Sequence, residues 1–236
     1  MDDDQEPWKG AGGAKQKNDR KAHGTGISSY KGCDETMFCF AHIHPYNPKI
    51  KDKQQQLGTS LIEFFNEQLP PQQPYLICAD AGPLGSVPHA QYLADRGRQV
   101  LFSIVPTRDG SNKHHPLSAI LDADLDEHKY HTLYGNSLMV QAWRAKSGNK
   151  GGKIVHFATN MPSADRLTTV DRYNKKDKEY DEVDAPESVK EYNTLKWFID
   201  EKRSITARVC NHFRVCKPYC AMMRDIMLTY KHNMYL

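Results

Sequence analysis

Apolar and polar positions fall into blocks along this chain, and the most sharply bounded block runs from Gln73 to Thr107. Tyr75–Ala79 is an apolar run short enough for a buried strand, and it ends abruptly on Asp80. A Gly/Pro loop covers Ala81–Ser86, and helical spacing follows from Val87 to Arg96, with Gly97 where a helix C-cap belongs. A second apolar run, Val100–Val105, stops at Pro106. Strand, loop, helix and strand in about 30 residues is the size of one βαβ unit. Upstream, Ile27–Tyr30 and Met37–Ile43 read as the strands of an antiparallel hairpin joined by a turn-forming Lys31–Thr36. Lys49–Gln56 reads as a charged loop. Leu61, Phe64, Phe65 and Leu69 then take helical spacing, with Thr59 or Ser60 as N-cap and Pro70-Pro71 as the stop.

After Pro106 the alternation breaks. Asp109–Asn112 reads as a loop and Leu117–Leu125 as a short helix. Thr132–Tyr134, Leu138–Trp143 and Lys153–Thr159 read as strands, the last two joined by Ser147–Gly152. Residues 107–187 thus form a β-rich insertion that closes in a charged, poorly ordered stretch, Asp171–Glu187. Ser188 is placed to cap a helix carrying Val189, Tyr192, Leu195 and Ile199, and a last helical stretch runs from about Pro218 to Leu236. The pattern predicts an α/β protein in three parts. Residues 1–106 are the first part of the core, 107–187 the insertion, and 188–236 the C-terminal helices that complete the core. Composition alone makes residues 1–23 a disordered, solvated tail.

Totals narrow the setting. No run approaches the roughly 20 apolar residues of a membrane-spanning helix. The acidic start, Met1–Glu6, is the opposite of a signal peptide, so an intracellular protein that is not secreted is expected. Six cysteines, at 33, 39, 78, 210, 216 and 220, make no dense framework and read as reduced thiols. A net charge of +3 permits nucleic-acid contact without requiring it. The C-terminal part is locally basic through Lys202, Arg203, Arg208, Arg214, Lys217 and Arg224, as either a solvated face or a DNA contact.

Ligands of open α/β sheets gather beyond the carboxyl ends of strands, where Asp80 sits. An aspartate there can bind metal, accept a proton, or simply begin the loop. Cys210, His212, Cys216 and Cys220 lack the CxxC pairs of a zinc site, so zinc is not expected. His42 and His44, and His114 and His115, read as structural or exposed. Asp122, Asp124 and Asp126 lack the glycine and terminal Glu of an EF-hand.

Three places, taken in order, resemble the catalytic domain of piggyBac-type transposases, a branch of the RNase H-like DDE/DDD group. Asp2 stands five residues before Pro7-Trp8-Lys9-Gly10. Asp80 ends its strand ahead of a helix with Leu93-Ala94 and Arg96-Gly97. Tyr192-Asn193 precedes Asp200 at the family's interval. Departures stand beside these: Ala81-Gly82 follows Asp80, bulky Trp197-Phe198-Ile199 precedes Asp200, and Arg203 takes a position that is often acidic. The resemblance implies an RNase H-like mixed sheet with flanking helices and a β-rich insertion before the final helices. It implies Asp2, Asp80 and Asp200 as catalytic and metal-binding residues, with Asp3 and Asp4 as rivals to Asp2. It further implies two Mg²⁺ ions, DNA as partner, and Lys202, Arg208, Arg214 and Lys217 on DNA phosphates. A nuclear location follows from the same likeness, and a homodimer is left open. The function implied is metal-dependent DNA cleavage and strand transfer by a transposable element-derived protein, truncated or degenerate. The alternative is a non-catalytic DNA- or protein-binding module that retains the fold.

Overall fold

A computed structural model of the protein describes residues 2–7, 16–17, 25–33, 39–43, 53–69, 75–105, 125–126, 129–135, 137–144, 154–174, 177–210, 223, 226–230 and 233–234. The loop expected at 109–112 and most of the helix expected at 117–125 lie outside them. Two units are distinguished, Met1–Leu61 with Leu195–Leu236, and Ile62–Thr194.

In the first unit, β1 (Asp2–Pro7), β2 (Gln16–Lys17), β3 (Thr25–Cys33) and β4 (Cys39–Ile43) form an antiparallel sheet around β3. The expected hairpin is β3 with β4, closing at Cys33 opposite Cys39. Composition predicts a solvated tail over residues 2–7, yet they are paired along β3 from Asp2 opposite Lys31 to Pro7 opposite Gly26. The long strand β3 offers a full ladder of backbone groups, so an acidic strand is held by main-chain pairing without an apolar face.

Helix α1 (Lys53–Gln68) begins well before the expected Thr59 or Ser60 cap. Lys53 and Gln54–Gln56 are good helix formers and extend it into the stretch read as a loop. Leu61, Ile62 and Phe65 are buried side chains on it.

The second unit is built on β5 (Leu76–Ala79), α2 (Val87–Ala94) and β6 (Gln99–Ile104), with β5 parallel to β6 as the βαβ reading requires. Ser86 caps α2 by accepting from the His89 N–H at 3.4 Å, and Gly97 takes φ +74° where the chain leaves the helix. Strands β7 (Tyr130–Tyr134), β8 (Met139–Arg144) and β9 (Ile154–Thr159) add to β6 with antiparallel pairing, in the order β5-β6-β9-β8-β7.

The stretch read as poorly ordered is instead a hairpin, β10 (Leu167–Asn174) with β11 (Glu179–Pro186). Its inner row is only Val170, Val183 and Ala185, and the charged outer row hides that period in the sequence. Helix α3 (Glu187–Cys210) follows directly. Ser188, expected to cap it, lies inside its first turn and donates to Gln141 Oε1 at 2.5 Å. Leu101, Trp143 and Phe157 on one sheet face, the hairpin's inner row, and Val189 and Tyr192 of α3 make one buried core.

Candidate functional site

Asp80 lies immediately after β5, at the strand's carboxyl end, and is half-buried. The apolar residues before it point alternately into the core, which drives the strand inward and leaves its first polar residue at the rim. The following loop folds back tightly: Gly85 N–H donates to Gly82 O at 3.2 Å and Ser86 N–H to Leu84 O at 2.8 Å. Gly85 has no room for a side chain. A Cβ there would collide with the Ser103 carbonyl oxygen, meet Ala81 Cα at 2.5 Å, and come within 2.9 Å of the Asp80 carbonyl oxygen.

Asp80 Oδ1 accepts two hydrogen bonds, from the Ala81 N–H at 2.7 Å and from the Tyr192 hydroxyl at 2.9 Å. Tyr192 is buried on α3 and packs edge-on to Phe157, with ring centroids 5.1 Å apart. Burial, then the neighbouring Asp80 and Cys78 charges and the hydrogen bond to Asp80, push its phenol well above the usual tyrosine range, against a smaller lowering by the Ser103 hydrogen bond. The phenol therefore stays protonated and acts as a fixed donor. Two donors on one oxygen hold the carboxylate plane, as metal-binding carboxylates are oriented by neighbouring donors. Carboxylate oxygens suit a hard divalent cation, so the chemistry of Asp80 fits Mg²⁺.

The other expected site residues are placed as follows. Asp2 opens β1, and its side chain is outside the described part. Asp200 is exposed on α3. Asp2 and Asp200 belong to the first unit and Asp80 to the second. Among the described residues no group of three or more His, Cys, Asp or Glu side chains is arranged to hold a metal. Lys202, Arg208 and Cys210 are on α3. Arg214, Lys217, His212, Cys216 and Cys220 lie outside the described residues.

Tyr192 as a partner of Asp80, Ser103 behind it, and Gly85 beneath the loop were not anticipated as parts of the site. One signal was available. Tyrosine rather than phenylalanine on the buried stripe of a helix needs a partner for its hydroxyl.

The family model described as Transposase IS4 matches residues 1–222. Among solved structures, the piggyBac transposase synaptic complex with hairpin DNA, determined by cryo-EM, matches 98% of the chain with a TM-score of 0.73 and 12% identity. The chain spans 44% of the length of that protein. No curated protein matches it.

Proposed function

We propose, for a chain that belongs to the Transposase IS4 family and has the fold of the piggyBac transposase, that it is a transposable element-derived catalytic domain for cutting and joining DNA. The observation that supports this reading best is the Asp80 carboxylate, set at a strand end and oriented by the Ala81 N–H and the Tyr192 hydroxyl. Asp80 would supply one carboxylate ligand to a divalent ion, and the family likeness implies Asp2 and Asp200 as the further ligands. A bound pair of Mg²⁺ ions would supply activation of the attacking water or 3′-hydroxyl and stabilisation of the leaving oxygen. The protein's own share is positional: Tyr192 keeps its proton and holds the Asp80 carboxylate in place, and the tight Ala81–Ser86 loop fixes the strand end. Lys202, Arg208, Arg214 and Lys217 would hold phosphates, which positions a strand without reading its sequence. Such a protein would act in the nucleus.

The test is a calorimetric Mn²⁺ titration of the protein beside Asp80→Asn, followed by DNA nicking assays. Binding and nicking that are lost together in the variant support the reading. Equal binding in both proteins, or none in either, sinks it.

A second reading, a non-catalytic DNA- or protein-binding module, is favoured by one observation. Trp197 is 54% exposed on α3 and stacks edge-on to Phe198 at 5.5 Å, just ahead of Asp200. Bulky exposed aromatics suit a binding surface. This module would bind DNA or protein equally well with and without divalent metal.

A further inference from the structure

The sheet face away from Tyr192 carries a row of basic groups. Side chains alternate between the two faces of a strand. Leu101, Tyr130, Trp143 and Val155 belong to the core beneath α3, so His131, Arg144 and His156 lie on the opposite face. The register sets His131 opposite Ala142, Ala142 opposite His156, and His156 opposite Ile104, with Arg144 opposite Ile154 one row further out. Lys129, just before β7, continues this edge: its carbonyl accepts the Arg144 N–H at 3.1 Å. Lys129 and His131 are exposed, and Arg144 and His156 are half-buried. The residues interleaved with them are Ala142, Ile104 and Ile154, and the described part of these rows holds no carboxylate. Asp126, nearby in the chain, is exposed and meets Lys129 through its backbone carbonyl at 3.1 Å.

The inner edge of the row is unsatisfied. Arg144 Nε and His156 Nε2 are sealed from solvent and have no hydrogen-bond partner among the described residues. Burying part of a guanidinium with no counter-charge among the described residues is costly, and unpaired buried polar atoms are rare enough to call for an explanation. An external anion supplies one. Its oxygens would meet the terminal nitrogens of Arg144 and the Lys129 ammonium, and its charge would offset the desolvation behind them.

We propose that Lys129, His131, Arg144 and His156 form a phosphate-binding surface whose ligand is a nucleic-acid backbone. Three adjacent strands spaced about 4.8 Å apart carry the row, which therefore extends further than one phosphate and suits successive phosphates of a polymer. Arg144 and Lys129 are the main contacts, His131 is at the rim, and His156 is behind. The surface deepens the DNA-handling reading above, yet it lies on the face opposite the Asp80–Tyr192 contact and does not depend on metal.

The test follows binding of the full chain to a random-sequence 20-base-pair duplex, without divalent metal, as salt is raised. Neutralising Lys129 and Arg144 together (K129Q with R144Q) lowers the log–log salt slope by about 2, near 0.9 for each phosphate left without its cation, and weakens binding roughly tenfold. Neutralising two exposed lysines away from the row (K178Q with K190Q) leaves the slope in place. In parallel, inorganic phosphate added to the unaltered protein shifts the ring resonances of His131 and His156, and chloride at equal ionic strength does not. This arm holds even where the double variant fails to fold. Shifted resonances with an unchanged slope in a folded variant would reassign the surface to free phosphate and overturn the nucleic-acid ligand. Unshifted resonances, or an equal drop in slope for the control pair, overturn the site itself. Mn²⁺ binding that depends on Asp80 is read separately, so failure of one proposal leaves the other standing.

Discussion

The Tyr192 hydroxyl donates to Asp80 Oδ1 at 2.9 Å, joining a helix residue to a strand-end carboxylate 112 positions earlier in the chain. The phenol is held in place by burial and by its edge-on contact with Phe157. Tyr192→Phe keeps that packing and removes only the donor. A hydrogen bond to a charged group contributes about 1.5–3 kcal/mol, so urea unfolding should show a loss in that range. Mn²⁺ affinity should fall about tenfold, the low end for removing a group that orients a metal ligand. Unchanged affinity with lowered stability would mean that the phenol serves the fold alone.

Gly85 is the second fixed point of the same loop. A methyl group there meets the Ser103 carbonyl oxygen, Ala81 Cα and the Asp80 carbonyl oxygen, all of them main-chain atoms that cannot swing aside. Gly85→Ala should therefore cost about 1–3 kcal/mol, the usual range for forced overpacking. The check is a denaturant midpoint that moves down at constant slope. No change would show that the loop opens freely.

The βαβ core was legible because each of its signals is local and they agree. The run ending at Asp80, the Gly/Pro loop over Ala81–Ser86, and Gly97 at the helix end each follow from a few neighbouring residues. The hairpin β10–β11 was not legible, since only Val170, Val183 and Ala185 mark its buried face among exposed charges. Strand β1 was hidden for a related reason: main-chain pairing to β3 holds it, and no side-chain period records that. In the site, Asp80 could be named from its place at a strand end. Tyr192 could be named only as part of a motif, because its contact with Asp80 spans the whole β-rich stretch. Ser188 misled for a physical reason too, as its hydroxyl is drawn to Gln141 across the core and away from its own helix start.

Trp143 is the anchor of that unexpected hairpin. Its indole N–H donates to the Asp184 carbonyl at 3.2 Å, and the Arg172 guanidinium lies 4.8 Å from its ring centroid. Burial pulls the Arg172 guanidinium below the usual arginine range, yet it stays charged at any ordinary pH. Trp143→Phe retains an aromatic ring, loses the indole donor and leaves a partial void. A cost of about 2–3 kcal/mol is expected from the missing hydrogen bond and the void together. Hydrogen exchange should then quicken across 167–186 before it does in β5 and β6. Uniform quickening across the unit would show that Trp143 supports the whole core and does not specifically pin the hairpin.

His156 gives the same unit a pH-dependent term in its stability. It is half-buried, its Nε2 has no partner among the described residues, and burial lowers its basicity from the ordinary value of 6.5. The sign follows from linkage. Below pH 6.5 the unfolded chain takes up a proton that the folded chain resists, so stability is full above that pH and falls as pH drops through the lowered folded value. His156→Gln removes the titrating group, so its melting temperature should decline less steeply than that of the unaltered protein between about pH 6.5 and pH 5. Phosphate bound beside Arg144 would favour the protonated ring, and the decline of the unaltered protein should therefore be shallower in phosphate than in chloride. Parallel melting curves for the two proteins would show that His156 titrates alike in both states. A decline that ignores phosphate would count against an anion on this face of the sheet.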